Sequence, residues 1–287
     1  MAKWASNSEQ LKTNWKAEGQ DTKVQTEVLG ISWNTETDCF SFDPEGITEK
    51  LPEGPTTKRQ LLQTVAKFYN PLRFTFLCLL SGNCYSRTPG AGRYELLPPD
   101  LGARWHTWVS KLTSLSQVHI PRWLATSKGN FQVHVFWDTS ERAYGAALYV
   151  RLTKDDKTLT RLAFSQNRLA PVKRVTMPRL ELLAALVGTR LLHYFCAATG
   201  YNIKQAILCS DAIVTLGWIH SDPIRWKTFV CNRVTEIQTF MNPTQWRHCL
   251  WLDNPADHLS WGLLGNQIQS LDIWWCGPSW LARPAED

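Results

Sequence analysis

The stretch Val133–Tyr149, VHVFWDTSERAYGAALY, constrains the fold of this 287-residue chain more than any other. It reads as a strand, a short turn and a second strand, with one carboxylate, Asp138, at the end of the first strand. Val133, Val135 and Trp137 alternate with His134 and Phe136, so both faces of that strand are apolar. Such a strand belongs in a sheet covered on each side. A carboxylate buried at its end is costly unless it meets a metal or a cation. Asp138 therefore needs partners from elsewhere in the chain.

Downstream, 160–165 reads as a third strand and 178–199 as the strongest helix, with Leu180, Leu183, Ala184, Val187 and Leu191 on one stripe. A fourth strand, 206–210, ends at Asp211, and helices follow over 212–220 and 226–240. A fifth strand spans 245–250, and Asn254-Pro255 opens a last helix, with Asn254 as its cap. The order β-β-β-α-β-α-α-β-α predicts an α/β fold, a mixed five-stranded sheet flanked by helices. Upstream, 1–27 reads as a surface helix and turn, 28–43 as a β-hairpin, 57–69 as a helix capped by Thr56 or Thr57, and 98–120 as a helix closed by Ser116–Pro121. That makes a smaller α+β region. Residues 74–92 start apolar and then lose all pattern.

A hydrophobic content of 44% permits a sizeable core, and a net charge of +6 mildly favours an anionic partner such as nucleic acid. The eight cysteines form no CxxC pair, no zinc-finger spacing is present, and their scatter in apolar segments predicts reduced, buried thiols. The N-terminus lacks the apolar core of a signal peptide. The longest apolar runs, Phe74–Leu80 and Leu182–Val187, fall far short of the roughly 20 residues that span a bilayer, so no membrane partner is expected.

Four acids stand out by placement. Asp138 and Asp211 end strands; Glu181 and Asp257 fall in the first turns of helices. Each has an ordinary reading alone: a turn residue, a dipole-favoured charge, a helix cap, a solvated first-turn acid. Jointly they converge on one edge of an α/β sheet, where such folds build their sites. Four converging carboxylates repel one another without divalent cations, and with two Mg²⁺ they make a hard-oxygen cage suited to attack of water on a phosphodiester. Arg225, Lys227 and Arg233 on or beside the next helices are candidate backbone contacts for a nucleic acid. A solvated basic face is the equal alternative. His248 is explained by strand alternation, and Trp218, Trp246 and Trp251 read as core.

The chain resembles part of the Pol polyprotein of BEL/Pao long-terminal-repeat retrotransposons. The motifs that carry the resemblance are LGISWNTETDCF, PTTKRQLLQTVAKFYNPL, VHIPRW, FWDTSERAYGAALYVR, MPRLELLAAL, CSDAIVTLGWI, FVCNRVTEIQ, DNPADHLSWG and WWCGPSWL, in that order along most of its length. The resemblance implies a reverse transcriptase thumb and connection remnant over 1–127, a ribonuclease H-like domain over 128–266, and a tail toward the integrase linker over 267–287. It maps the family's ribonuclease H acids, as metal ligands, onto Asp138, Glu181, Asp211 and Asp257. The implied activity is endonucleolytic hydrolysis of RNA in RNA–DNA hybrids with two Mg²⁺, for which Mn²⁺ substitutes. The implied partners are the hybrid and the rest of Pol, its reverse transcriptase palm and integrase. The implied location is cytoplasmic, or nuclear with the element's integration complex.

Departures from the family pattern accompany the match. Ser260-Trp261-Gly262 stands where the family carries Ser-Arg-Gly, Ala212 follows Asp211 in place of Ser, and Asn70-Pro71-Leu72-Arg73 replaces Asp-Pro-Leu-Gly. No Tyr-x-Asp-Asp polymerase motif and no integrase acid set are present. Residues 83–92, back-translated and read one base earlier, permit a family-like helix, which implies a pair of compensating indels within 74–92. Two alternatives accompany the nuclease reading: an inactive nucleic-acid-binding remnant of a decayed element, and an aspartic peptidase of the Pao family built on Asp138-Thr139-Ser140. The peptidase lacks the usual glycine and any second triplet, and would need a homodimer.

Overall fold

The computed structural model describes residues 5–20, 22–28, 31–48, 54–67, 74, 77–80, 82, 92, 94–123, 130–154 and 157–283. The chain divides into two units: Met1–Pro71 with Tyr85–Leu124 and Leu264–Gln269, and Leu72–Cys84 with Ala125–Leu263 and Ser270–Asp287.

The first unit opens with α1 (Glu9–Ala17), capped by Ser8. Its sheet is antiparallel, in the order β1 (Gln25–Val28), β2 (Ile31–Asn34), β3 (Cys39–Ser41), β4 (His119–Pro121). The expected hairpin supplies β2 and β3. The flanking strands correct the sequence reading, which placed β1 in a surface helix and turn and β4 in a helix closure. Both are short edge strands, and the polar Gln25-Thr26-Glu27 offers no apolar alternation to detect. Helix α2 (Lys58–Lys67) begins with a reciprocal cap: Gln60 N–H donates to Thr57 Oγ1 at 3.3 Å, and Thr57 N–H donates to Gln60 Oε1 at 2.7 Å. Helix α3 (Pro99–Leu112) buries Leu101, Trp105, Trp108 and Leu112, the stripe its spacing predicts.

The second unit holds a five-stranded mixed sheet in the order β7-β6-β5-β8-β9. Its strands are β5 (Asn130–Thr139), β6 (Ala143–Lys154), β7 (Lys157–Leu169), β8 (Ile207–Ser210) and β9 (Trp246–His248). β5, β6 and β7 run antiparallel; β8 and β9 run parallel to β5. Helices α4 (Met177–Thr199), α5 (Ile213–His220), α6 (Thr228–Phe240) and α7 (Asp257–Trp261) complete the unit. This is the mixed α/β architecture expected from the element order.

Val133 to Trp137 are buried throughout, as the two-sided apolar pattern requires. Val135 and Trp137 face α4, which comes close because Gly188 has no side chain; a Cβ there would meet Val135 Cγ1 at 3.2 Å and Ala146 Cβ at 3.3 Å. By length and composition α4 passes for a membrane span. Its apolar surface serves the core instead, with Leu182, Ala184, Ala185 and Leu192 fully buried.

Phe136 lies on the opposite face, edge-on to Tyr149 at 5.6 Å and tilted against Trp280 at 6.1 Å. That face is covered by 270–283, a segment the sequence assigned to a tail. Tyr149 Oη donates to the Trp274 carbonyl at 2.8 Å. The buried Arg151 donates from Nε to the Leu281 carbonyl at 2.8 Å and from Nη2 to the Arg283 carbonyl at 2.6 Å.

The upstream segment also departs from expectation. Phe74 and Leu77–Leu80 are buried. The Phe74 carbonyl accepts from Trp274 Nε1 at 3.0 Å, and the Leu77 carbonyl accepts from Leu263 N–H at 3.1 Å. This apolar start is therefore core of the second unit, not patternless loop. Residues 83–91, where the change of reading frame is placed, lie outside the described residues. Cys78, Cys209 and Cys249 are buried thiols as expected, whereas Cys276 ends a short helix and is exposed; Cys84 lies outside the described residues.

Gly145 stands opposite Asp138 on β5 and Asn167 on β7. A Cβ there would meet the Gln166 carbonyl at 2.5 Å and Asn167 Cβ at 2.6 Å. Gly145→Ala is expected to destabilise the fold by about 1–3 kcal/mol. Urea denaturation measures this, and a midpoint equal to wild type contradicts the packing described.

Candidate functional site

β5 and β8 pair in parallel register, and their last pair is Phe136 with Cys209. Asp138 and Asp211 each lie two residues beyond it, so adjacent strands, about 4.8 Å apart, deliver two carboxylates side by side where the pairing stops. Glu181 comes from α4. It is the fifth residue of that helix, which corrects the expected first-turn placement to the second turn. Asp257 is the first residue of α7.

Three of the four acids are held by a neutral donor. Ser260 Oγ donates to Asp138 Oδ2 at 2.8 Å. Thr215 Oγ1 donates to Glu181 Oε2 at 3.1 Å. Asn254 Nδ2 donates to Asp211 Oδ1 at 3.2 Å and to the Trp137 carbonyl at 3.1 Å, tying the end of β5 to the acid beyond β8. The indole of Trp261 favours the charged form of Asp257. α7 is itself pinned to the sheet: Ser140 Oγ donates to the Ser260 carbonyl at 2.6 Å, and Asn167 Nδ2 to the Leu259 carbonyl at 3.1 Å.

Asn254, Ser260 and Thr215 were not identified from sequence as parts of the site. Asn254, expected to cap the last helix, stands one turn before it: α7 begins at Asp257 with Ala256 at its N-cap, and Asn254 Oδ1 accepts from Ala256 N–H at 3.2 Å. Its second job depends on a neighbour 43 positions away, which no local pattern encodes.

Asp211 acts on each of the other three acids. Burial pushes the Asp138 carboxyl up to about 7, with Asp257 and Asp211 adding and the Ser260 hydroxyl opposing. Burial also raises Glu181, opposed by Thr215 and reinforced by Asp211. Asp257 is raised by burial and by Asp211, and lowered by His258 and Trp261. Asp211 is thus the common neighbour. None of the four makes an ion pair with Lys or Arg among the described residues. As the side chains stand, no three His, Cys, Asp or Glu groups among the described residues are gathered tightly enough to hold one ion. Asp138 and Glu181 are each turned to a hydroxyl and Asp211 to an amide. The donor chemistry nevertheless fits a divalent cation: hard carboxylate oxygens and mutual repulsion, with no Lys or Arg ion pair among the described residues to relieve it and only His258 acting on Asp257.

The basic candidates lie apart from the acids. Arg225 and Lys227 are exposed on the connection between α5 and α6. Arg233 is half-buried, its guanidinium 3.6 Å over the Phe229 ring with Nη1 donating to the Phe229 carbonyl at 2.8 Å. Further exposed cations, Arg168, Lys173, Arg174 and Arg179, lie between the end of β7 and the first turn of α4, with the Arg179 guanidinium 4.9 Å over the Phe229 ring. Arg174 lines an open groove of about 530 Å³ together with Glu141, Thr176, Met177 and Leu180. Lys173 and Arg174 fall in a connection without periodicity, while Arg168 lies in β7 and Arg179 in α4. Trp246 is buried as expected; Trp218 is half-buried, and Trp251, expected in the core, is 65% exposed on a 3₁₀ turn.

The raised Asp138 has a consequence for stability. Its folded value of about 7 exceeds the ordinary 3.8, so the folded state holds a proton that the unfolded chain releases between those values. Stability from this group is present below about pH 4 and lost as pH rises through 7. In EDTA at pH 8, Asp138→Asn is expected to raise the melting temperature by on the order of 4 °C, with a much smaller change at pH 4.5. A fall at pH 8 contradicts the charge cluster.

A family model described as Pao retrotransposon-like RNaseH-like domain matches residues 57–212, which include Asp138, Glu181 and Asp211. No curated protein matches the chain. Among solved structures, the chain is similar to a foamy viral protease-reverse transcriptase dRH in complex with double-stranded DNA, at 10% identity and a TM-score of 0.49, over 80% of this chain and 38% of that one. It is also similar to a foamy viral protease-reverse transcriptase in complex with double-stranded DNA, at 12% identity and a TM-score of 0.25, over 79% of this chain and 45% of that one. The chain thus spans less than half the length of either. Because the family model covers more than half of the 287 residues, the chain belongs to the Pao retrotransposon family and carries the RNase H-like domain of a retrotransposon Pol.

Proposed function

We propose that the second unit is a metal-dependent endoribonuclease acting on the RNA strand of RNA–DNA hybrids. The observation that carries this reading is the cluster of four half-buried carboxylates at the edge of the sheet, three of them acted on by Asp211, with no Lys or Arg ion pair among the described residues. A structural role would pair such charges or replace them, since an unpaired buried carboxylate destabilises. Asp138 and Asp211, side by side at the strand ends, would hold two Mg²⁺ ions between them, with Glu181 and Asp257 each completing one. When bound, the ions supply Lewis-acid activation of the attacking water and charge neutralisation at the leaving 3′ oxygen. The protein's own part is orientation. Asn254 and Ser260 hold Asp211 and Asp138, and Thr215 holds Glu181.

The nucleic acid would follow the cations. Arg168, Lys173, Arg174 and Arg179 lie on the side of Glu181, and Arg225 and Lys227 on the next connection. These would grip phosphates without reading sequence. Arg233, folded onto Phe229, is the weakest of the candidates.

The peptidase reading is disfavoured. Ser140 Oγ is committed to the Ser260 carbonyl, and Asp138 is hydrogen-bonded to Ser260 beside three further acids, not presented for pairing with a second copy. The inactive remnant is the rival that experiment must separate.

The full chain is incubated with an end-labelled RNA–DNA hybrid and Mg²⁺ or Mn²⁺, beside Asp138→Asn, Glu181→Gln, Asp211→Asn and Asp257→Asn. Cleavage by wild type, reduced at least about 10³-fold in Asp138→Asn and Glu181→Gln with hybrid binding retained, is the expected result. Cleavage retained in Glu181→Gln would sink the assignment, and binding without cleavage by wild type would make the chain a remnant. Separately, Lys173→Ala with Arg174→Ala is expected to reduce the slope of log affinity against log salt by about 2. An unchanged slope would place the hybrid elsewhere.

A further inference from the structure

Apart from the acids, α4 and α6 carry a cluster of guanidiniums. Arg179, in the first turn of α4, lies 4.9 Å over the Phe229 ring, and Arg233 of α6 lies 3.6 Å over the same ring. Arg190 of α4 is the third, and it holds Glu236 in a two-pronged pair at 2.7 and 3.0 Å. Glu236 is thereby committed. Among the described residues neither Arg179 nor Arg233 makes an ion pair. Arg233 Nη1 donates to the Phe229 carbonyl at 2.8 Å, while its Nε is buried with no hydrogen-bond partner. Burial lowers the Arg233 pKa, with Arg190 and Arg179 adding and Glu236 and Tyr144 opposing. Two like charges thus share one ring without a carboxylate committed to either.

Stacking on Phe229 alone would make this helix packing. The direction of the helices adds a second cause. Arg179 meets Phe229, Arg190 meets Glu236, and His193 meets Phe240 at 4.5 Å, so residue numbers rise together and α4 and α6 pack in parallel. Their N-termini, each the positive end of a helix, therefore lie side by side. Thr176 and Lys227, at the two N-cap positions, make no side-chain cap, and neither first turn has an acidic residue. First turns ordinarily favour acids. Here α4 carries Arg179 and α6 follows the exposed Lys227. Positive charge is gathered where the backbone is already positive. A phosphate group resolves it, since forked guanidiniums and unpaired helix N–H groups both donate to its oxygens. Arg179 stands two residues before Glu181, so a strand held here also reaches the acids.

We propose that Arg179 and Arg233, at the adjoining first turns of α4 and α6, form a seat for one phosphate group, supplied by the backbone of the bound strand. This rests on the nuclease reading above. It makes Arg233 half of a pair instead of a lone grip.

The test uses the full chain with Arg179→Gln, Arg233→Gln and, as a control of net charge, Lys204→Gln beyond the far end of α4. Melting is followed in inorganic phosphate and in chloride at equal ionic strength. Phosphate at about ten times its Kd is expected to raise the wild-type melting temperature by about 3 °C. Arg179→Gln and Arg233→Gln are expected to lose that rise, and Lys204→Gln to keep it. A role in helix packing alone would lower melting equally in both salts. RNA–DNA hybrid affinity is then read across a salt series in Ca²⁺. Each of the two arginine variants is expected to reduce the slope of log affinity against log salt by about 1. A phosphate rise that survives in both arginine variants overturns the proposal. A rise lost with unchanged salt slopes overturns the assignment to the strand and leaves a seat for free phosphate. Wild type that binds phosphate through these arginines but no hybrid contradicts the nuclease reading, not the seat.

Discussion

The structure of the second unit turns on the parallel pairing of β5 with β8 and on where it stops. Parallel strands keep side chains in step, so ending the ladder at Phe136 and Cys209 carries Asp138 and Asp211 forward together. Two carboxylates at strand spacing repel, and burial sharpens the repulsion. Much of the surrounding architecture manages that charge. Gly145 lets β7 close on β6 opposite Asp138, and Asn254 bridges the two strand ends. The short helix α7 is pinned from both sides so that Ser260 meets Asp138. The long apolar α4 supplies the stability against which a destabilised edge can be held.

Much of this was legible in the sequence because it is local. The two-sided apolar run at Val133–Trp137, the stripe of α4 and the strand-end positions of Asp138 and Asp211 all follow from residue spacing. What was missed depends on partners far away in the chain. Asn254, Ser260 and Thr215 look like an ordinary cap and two ordinary hydroxyls until the fold brings them to acids 43, 122 and 34 positions away. β1 and β4 escaped for a different reason: edge strands need neither apolar alternation nor length. Trp251 was placed in the core on composition, but a 3₁₀ turn carries it outward.

The limits of the second unit were also beyond local pattern. Its sheet has one face covered by α4 and the other by 270–283, fastened through a buried guanidinium that finds backbone carbonyls instead of a carboxylate. Such a charge is tolerable only because its donors are satisfied. Trp274 in that strap reaches Phe74, and Leu263 reaches Leu77, so segments some 200 positions apart complete one core. Contacts of that separation are late and entropically costly to form. Their presence ties the integrity of the nuclease-like unit to a short upstream piece of chain. The proposed change of reading frame, at residues 83–92, begins just after that piece.

This bears on whether the site is retained or decaying. Neutral replacement of an unpaired buried carboxylate is among the easiest ways to stabilise a fold. A chain under no demand for the acids has four such routes open, and the donors that orient the acids would lose their purpose together with them. Here all four carboxylates stand with no Lys or Arg ion pair among the described residues, and Asp138, Glu181 and Asp211 each keep a hydroxyl or amide donor. The electrostatic strain is thus concentrated at one sheet edge while the strands and helices around it are closely packed. That distribution is the one expected on the proposed reading, in which the charge repulsion at the sheet edge serves the binding of cations.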